Sequence, residues 1–262
     1  MFHTYDRCGI TAVMGPKFGR LAPDMVPLRL SFFPPAPESL PQFPKRHTMA
    51  DGEDIHGLKS VLVMFQSCLN GEEEILMDPY LGGWKGLVRF LNTMGPIFSF
   101  ISKDAVTKIQ IMENFRCSER REDYITLQAM VNYELANQLV DLREPGNYPA
   151  SGCRTILRLH RALRWLHLFL EGLRTSSPGA KTSTLCTDSY NASLANYHPW
   201  IIRKAATMAF YALPTRDAFL ENMRVGSTEA AIEMLGEALP YISKVYEITE
   251  SLYTEHKLLD LP

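Results

Sequence analysis

The sequence has no cysteine pair at C-x-x-C spacing: Cys8, Cys68, Cys117, Cys153 and Cys186 are odd in number and far apart. That distribution argues against a zinc site or a disulfide framework and for a reducing compartment. No apolar run approaches the ~18 residues that a spanning helix needs, and the N-terminus lacks the charged-then-apolar layout of a signal peptide. These absences predict a soluble chain in the cytosol, in which the sequon Asn191-Ala192-Ser193 stays unmodified. There is no excess of positive charge either. The formal net charge is −2, and the first 48 residues hold six Lys/Arg against three Asp/Glu, so the remainder is more acidic than the whole. A general nucleic-acid partner is thereby disfavoured.

Enzyme signatures are missing as well. No G-x-S-x-G or H-E-x-x-H occurs, and Gly179-Ala180-Lys181-Thr182 lacks the upstream glycine of a phosphate-binding loop. We therefore expect no catalytic residue, no metal and no cofactor. Alternating apolar runs bounded by hairpin turns are absent, which excludes a sheet. From Ile55 onward the period is helical, and helices are predicted over 55–70, 78–94, 96–115, 121–143, 152–174, 188–197, 199–212, 215–224 and 228–256. Pro240 is expected to kink or divide the last. Residues 144–152 and 175–187 read as loops. Residues 1–48 carry eight of the 17 prolines with no sustained period, so they read as a disordered extension ahead of a domain over 49–262.

The helix predicted over 152–174 organises the rest. Ile156, Leu159, Leu163, Leu166, Leu170 and Leu173 form one continuous stripe, the mark of a face packed on other helices. His160, Arg164, His167 and Glu171 form a second stripe of mixed charge, which reads as water-facing and so makes a poor metal site. The third face begins with Arg154, Arg158 and Arg161 and continues as Trp165, Leu168 and Phe169. A face that passes from cationic to apolar complements an amphiphile with an anionic head and a hydrocarbon tail.

Two further stretches bear on that reading. Asp104 and Lys108 stand on the same helical face as Ile97, Ile101 and Ile111. By themselves they make an ordinary i,i+4 pair of a few tenths of a kcal/mol, but beside the arginine face Lys108, Arg154 and Arg158 would surround a phosphate. In Tyr197-His198-Pro199-Trp200-Ile201-Ile202-Arg203-Lys204, Pro199 suits the first turn of a helix. This leaves His198 to cap it or reach a ligand, while Trp200 with Arg203 and Lys204 suits a membrane interface.

The strings DPYLGGWKGLVRFLN, FSFISKDAVTKI, SGCRTILRLHRALRWLHLFLEGLRTS and CTDSYNASLANYHPW closely resemble the glycolipid transfer protein family over about residues 55–262. The resemblance implies an all-α, two-layer sandwich of about eight helices that encloses a tail pocket with a head-group site at its mouth. It also implies that Asp104 and His198 clasp the amide of a ceramide. Arg154 and Lys108 stand where sugar-carrying members have a tryptophan and an asparagine, and with Arg158 they would exchange sugar recognition for phosphate recognition. The tail pocket would draw on Leu87, Phe90, Met94, Phe98, Phe100, Ile101, Trp165, Leu166, Phe169 and Ile201. The expectation is a monomeric carrier of ceramide-1-phosphate that touches membranes transiently, such as the cytosolic faces of Golgi and plasma membrane. The alternatives are carriage of another sphingolipid and a helical adaptor whose arginines bind an acidic protein.

Overall fold

The computed structural model describes residues 57–71, 73–93, 96–140, 151–223 and 225–261. The proposed extension, the 144–150 part of one predicted loop and Met94 lie outside the described residues, as do the side chains of Phe100 and Ile101.

Among the described residues the chain is all-helical: α1 (Gly57–Ser67), α2 (Met77–Thr93), α3 (Pro96–Arg116), α4 (Leu127–Ala136), α5 (Gly152–Thr175), α6 (Thr182–Ala192), α7 (Trp200–Phe210), α8 (Arg216–Glu221) and α9 (Thr228–Glu255). Extended backbone is confined to isolated bridges, Leu69 with Ile75 and Leu76 with Thr126. Four helix starts, those of α4, α5, α8 and α9, are ones that side-chain capping favours. Thr126, Ser151, Thr215 and Ser227 each accept a hydrogen bond from the backbone N–H three residues on, which satisfies a donor that the first turn leaves orphaned.

Helix α5 is the axis of the domain, with α3, α4, α6 and α9 packed against it. Its leucine stripe is buried throughout, from Ile156 to Leu173. The stripe expected to face water is not wholly wet. His160 is buried, and its Nε2 lies 2.5 Å from Glu250 Oε2 while its ring stacks on Tyr246 at 4.2 Å. The correction comes from α9, which lies over this face and brings polar partners with it. Burial outweighs the Glu250 carboxylate and lowers the His160 pKa, so a neutral imidazole donates to Glu250.

Both ends of α5 are clamped by buried charged side chains from other helices. At the N-terminus Glu134 of α4, 1% exposed, accepts from Gly152 N at 2.6 Å, Cys153 N at 3.0 Å and Tyr124 Oη at 3.1 Å. At the C-terminus Arg216, 3% exposed, donates through Nε to the Leu173 carbonyl at 2.8 Å and pairs with Asp217 at 3.0 Å. A carboxylate at the positive end and a guanidinium at the negative end both match the helix dipole. Gly152 is required for the first contact, since a Cβ there would stand 2.5 Å from Met130 Sδ and 2.9 Å from Glu134 Oε1.

Other boundaries differ from the sequence expectation. The helix predicted over 121–143 divides, within its described residues 121–140, into a 3-10 turn at Arg121–Tyr124 and the shorter α4. Helix α6 starts at Thr182, inside the predicted loop, because its inner face is Thr182, Cys186, Ser189 and Tyr190, a stripe with little hydrophobic signal. Helix α9 is continuous through Pro240, which is exposed.

Candidate functional site

The cationic end of α5 and the adjoining α3 hold the residues singled out for a lipid head. The first turn of α5 is fully engaged by its cap: Glu134 takes two backbone N–H groups and Ser151 Oγ takes that of Arg154 at 3.1 Å. The amides of Gly152, Cys153 and Arg154 are therefore already engaged, and an anion here would depend on side chains. Arg154 is partly exposed and Arg158 exposed, with Arg158 Nη1 donating to the Arg154 carbonyl at 3.1 Å. One turn further on, Arg161 is bound up in structure. Its guanidinium lies over the Tyr197 ring at 3.9 Å and donates to the Leu259 carbonyl at 2.6 Å, and partial burial lowers its pKa.

On α3, Lys108 Nζ lies 2.5 Å from Asp104 Oδ1; the lysine side chain is 13% exposed and the aspartate 74%. The lysine stem is thus laid against the protein, with its head held by a carboxylate that faces outward. His198 follows the 3-10 turn Ala195–Tyr197 and precedes Pro199, the N-cap of α7. Its Nδ1 lies 2.7 Å from Tyr190 Oη. Burial lowers the imidazole pKa, and the Asp104 carboxylate is near enough to push it partly back. The structure thus pairs Asp104 with Lys108 on α3 and sets Arg154 and Arg158 one turn apart on α5, and α3 and α5 are in contact.

The described residues expected to line a tail pocket, Ile201 apart, merge with the core. Leu87, Phe90, Phe98, Trp165, Leu166 and Phe169 are all 5% exposed or less. Phe98 stacks on Phe169 at 6.1 Å and Trp165 on Phe169 at 6.4 Å. The sequence reading missed two members of this cluster. Phe210 stacks on Trp165 at 6.1 Å and Phe219 meets Phe169 edge-on at 5.4 Å. Their signal was weak because they sit at the end of α7 and within the six-residue α8, where periodicity cannot be counted. Ile201, expected in the pocket, is 58% exposed beside Trp200 at 65%: the first turn of α7 faces solvent, with Arg203 and Lys204 also exposed. Met208 and Tyr211, 71% and 74% exposed, add further apolar surface on and just after α7.

The axial helix of this helical body turns arginines outward near its start and stacks aromatics inward further along. The chain belongs to the glycolipid transfer protein family, which matches residues 75–225. It is 65% identical over 214 residues to the ceramide-1-phosphate transfer protein of Bos taurus and 62% identical over 214 residues to that of Homo sapiens, in each case 82% of this chain and all of the relative. Its fold is similar to the crystal structure of the human ceramide-1-phosphate transfer protein in complex with 12:0 ceramide-1-phosphate, with a TM-score of 0.76 and 63% identity, covering 78% of this chain and 99% of that one.

Proposed function

We propose that this protein moves ceramide-1-phosphate between membranes without chemical change, acting as a monomer in the cytosol and touching the cytosolic faces of membranes such as Golgi and plasma membrane. The observation that carries this reading is the single face of α5 that passes from Arg154 and Arg158 to the buried Trp165 and Phe169. The level of identity to ceramide-1-phosphate transfer proteins supports it. So does the absence, among the described residues, of any helix long and apolar enough to cross a membrane. Transfer is assigned to residues 49–262, and no role is assigned to residues 1–48.

In this reading Lys108, Arg154 and Arg158 hold the phosphate, which carries about −1.5 to −2 charge at neutral pH. Lys108 turns from Asp104 towards that charge. Asp104 is then left to accept from the ceramide amide N–H and the sphingoid hydroxyl, while His198 donates to the acyl carbonyl. The tails enter where the aromatic cluster now closes. Two chains of roughly 30 methylenes forfeit about 0.8 kcal/mol each on leaving a bilayer, on the order of 20 kcal/mol, and only an interior as dry as this core offsets that. Because native cores hold little free space, the rings around Phe98, Phe169 and Phe210 must part to admit them.

The test is a vesicle-to-vesicle transfer assay comparing ceramide-1-phosphate with phosphatidic acid, which shares two chains and a phosphate but has no amide. Ceramide-1-phosphate is expected to move at least tenfold faster, the consequence of losing about 1.5 kcal/mol or more of hydrogen bonding to charged groups. Equal rates would return Asp104 to being only a partner for Lys108.

Docking is assigned to Trp200, Arg203 and Lys204 at the exposed start of α7. Trp200→Ala should weaken vesicle binding about tenfold, since burying a large apolar side chain is worth about 1.5 kcal/mol or more. Because Trp200 is 65% exposed, its removal should change stability by no more than about 0.5 kcal/mol. Parallel losses in a melting curve and a vesicle sedimentation assay would instead place Trp200 in the fold.

A further inference from the structure

The hydroxyl of Tyr190 sits 2.7 Å from Nδ1 of His198, eight residues on. Tyr190 lies on the inner face of α6, 2% exposed, with its ring edge-on to Phe210 at 5.7 Å and tilted against the His198 ring at 5.7 Å. A neutral imidazole has one nitrogen that donates and one that accepts, so the contact has two readings. Either Tyr190 O–H donates to Nδ1 and the ring proton sits on Nε2, or Nδ1–H donates to the phenol oxygen.

The surroundings favour the first. Among the described residues Nδ1 of His198 is the partner the structure gives the Tyr190 hydroxyl, and at 2% exposure water is not a ready substitute. A buried hydroxyl proton needs an acceptor, and Nδ1 supplies one only when it carries no proton of its own. Burial also favours the protonated phenol and the neutral imidazole, since it raises the Tyr190 pKa and lowers that of His198.

We infer that Tyr190 is the positioning residue for His198: its hydroxyl holds the Nε2–H tautomer and fixes the ring plane, so that Nε2–H is the donor offered to the ligand's acyl carbonyl. This inference rests on the proposed amide clasp for its consequence, but not for the tautomer itself. It extends the logic by which a hydrogen bond on one ring nitrogen sets what the other can do. Because Tyr190 belongs to α6 and His198 to the turn before α7, the contact also ties the clasp to the packing of Phe210 beneath it.

The test uses the full chain labelled with nitrogen-15 at histidine, with His198→Gln identifying the His198 signals, and compares wild type with Tyr190→Phe, which keeps the ring and removes only the hydroxyl. Long-range proton–nitrogen spectra of the wild type at neutral pH are expected to show a protonated Nε2 and a bare Nδ1, with the Nδ1 resonance moving downfield in Tyr190→Phe. Transfer of ceramide-1-phosphate is expected to fall about threefold to tenfold, the effect of one ordinary hydrogen bond, while the melting temperature falls by no more than about 5 °C. A wild-type spectrum with the proton on Nδ1 would overturn the inference. So would an unchanged Nδ1 resonance, or unchanged transfer, in Tyr190→Phe. A wild type that fails to move ceramide-1-phosphate at all would instead refute the function proposed above, a result that the spectra separate from the tautomer.

Discussion

Replacing Arg158 by leucine is expected to lower transfer of ceramide-1-phosphate at least tenfold while the melting temperature hardly moves, and Arg154→Leu should do the same. In the proposed head site each arginine would contribute a charge-assisted contact of about 1.5 to 3 kcal/mol to a bound phosphate, and each tenfold step corresponds to about 1.4 kcal/mol. Arg158 is exposed, with a hydrogen bond to the Arg154 carbonyl in its own helix. The helix beneath is held by its leucine stripe and by Glu134 and Arg216 at its ends. The two substitutions therefore remove recognition and leave the scaffold. The check is a fluorescent-lipid transfer assay run beside a circular dichroism melt. If transfer stayed at the wild-type rate, the arginines would be surface charges and the adaptor reading would gain.

Glu134→Ala should have the opposite signature, a large loss of stability. The carboxylate is buried and accepts from Gly152 N, Cys153 N and Tyr124 Oη. Its removal strands two backbone donors and a phenol inside the protein, at about 1–3 kcal/mol for each unsatisfied group, partly relieved by relaxation. The net loss should be about 3 to 5 kcal/mol, seen as a fall of roughly 10 °C in melting temperature for a domain of this size. Glu134→Gln should lie between, because the amide keeps one acceptor but turns a donor towards an N–H. Thermal melts of the three proteins make the comparison. A loss below about 1 kcal/mol for Glu134→Ala would mean that water replaces the carboxylate and the clamp is dispensable.

The leucine stripe of α5 was legible because six apolar residues at helical spacing have one physical reading, and all six are buried. The cationic start of the third face was legible for a related reason: arginines aligned with a continuing aromatic row are unusual on any solvated helix. His160 was misread because its spacing matches Arg164 and Glu171, and nothing in α5 itself tells that Tyr246 and Glu250, some ninety positions later, come to cover it. Glu134 could have been noticed. It lies on the apolar stripe of Leu127, Met130 and Val131, where a carboxylate needs a reason. That its reason is the N-terminus of another helix was not visible. Thr182, Ser183 and Thr184 make the start of α6 look like a loop because hydroxyl residues carry little apolar signal, yet Thr182 is on the packed face.

What the sequence determined by itself is local and periodic. The all-helical class, the inward face of α5, the line of arginines leading to Trp165 and Phe169, and the pairing of Asp104 with Lys108 four residues on all follow from helical geometry acting within one element. What only the tertiary structure decided are the contacts between elements. Tyr190 beneath His198, Glu134 and Arg216 at the two ends of α5, Phe210 and Phe219 joining the aromatic cluster, and Ile201 turned outward depend on how separate helices meet. Helical periodicity says which way a side chain points from its own axis. Its environment is set by whichever helix packs there, and that choice is made by the burial of the whole chain at once.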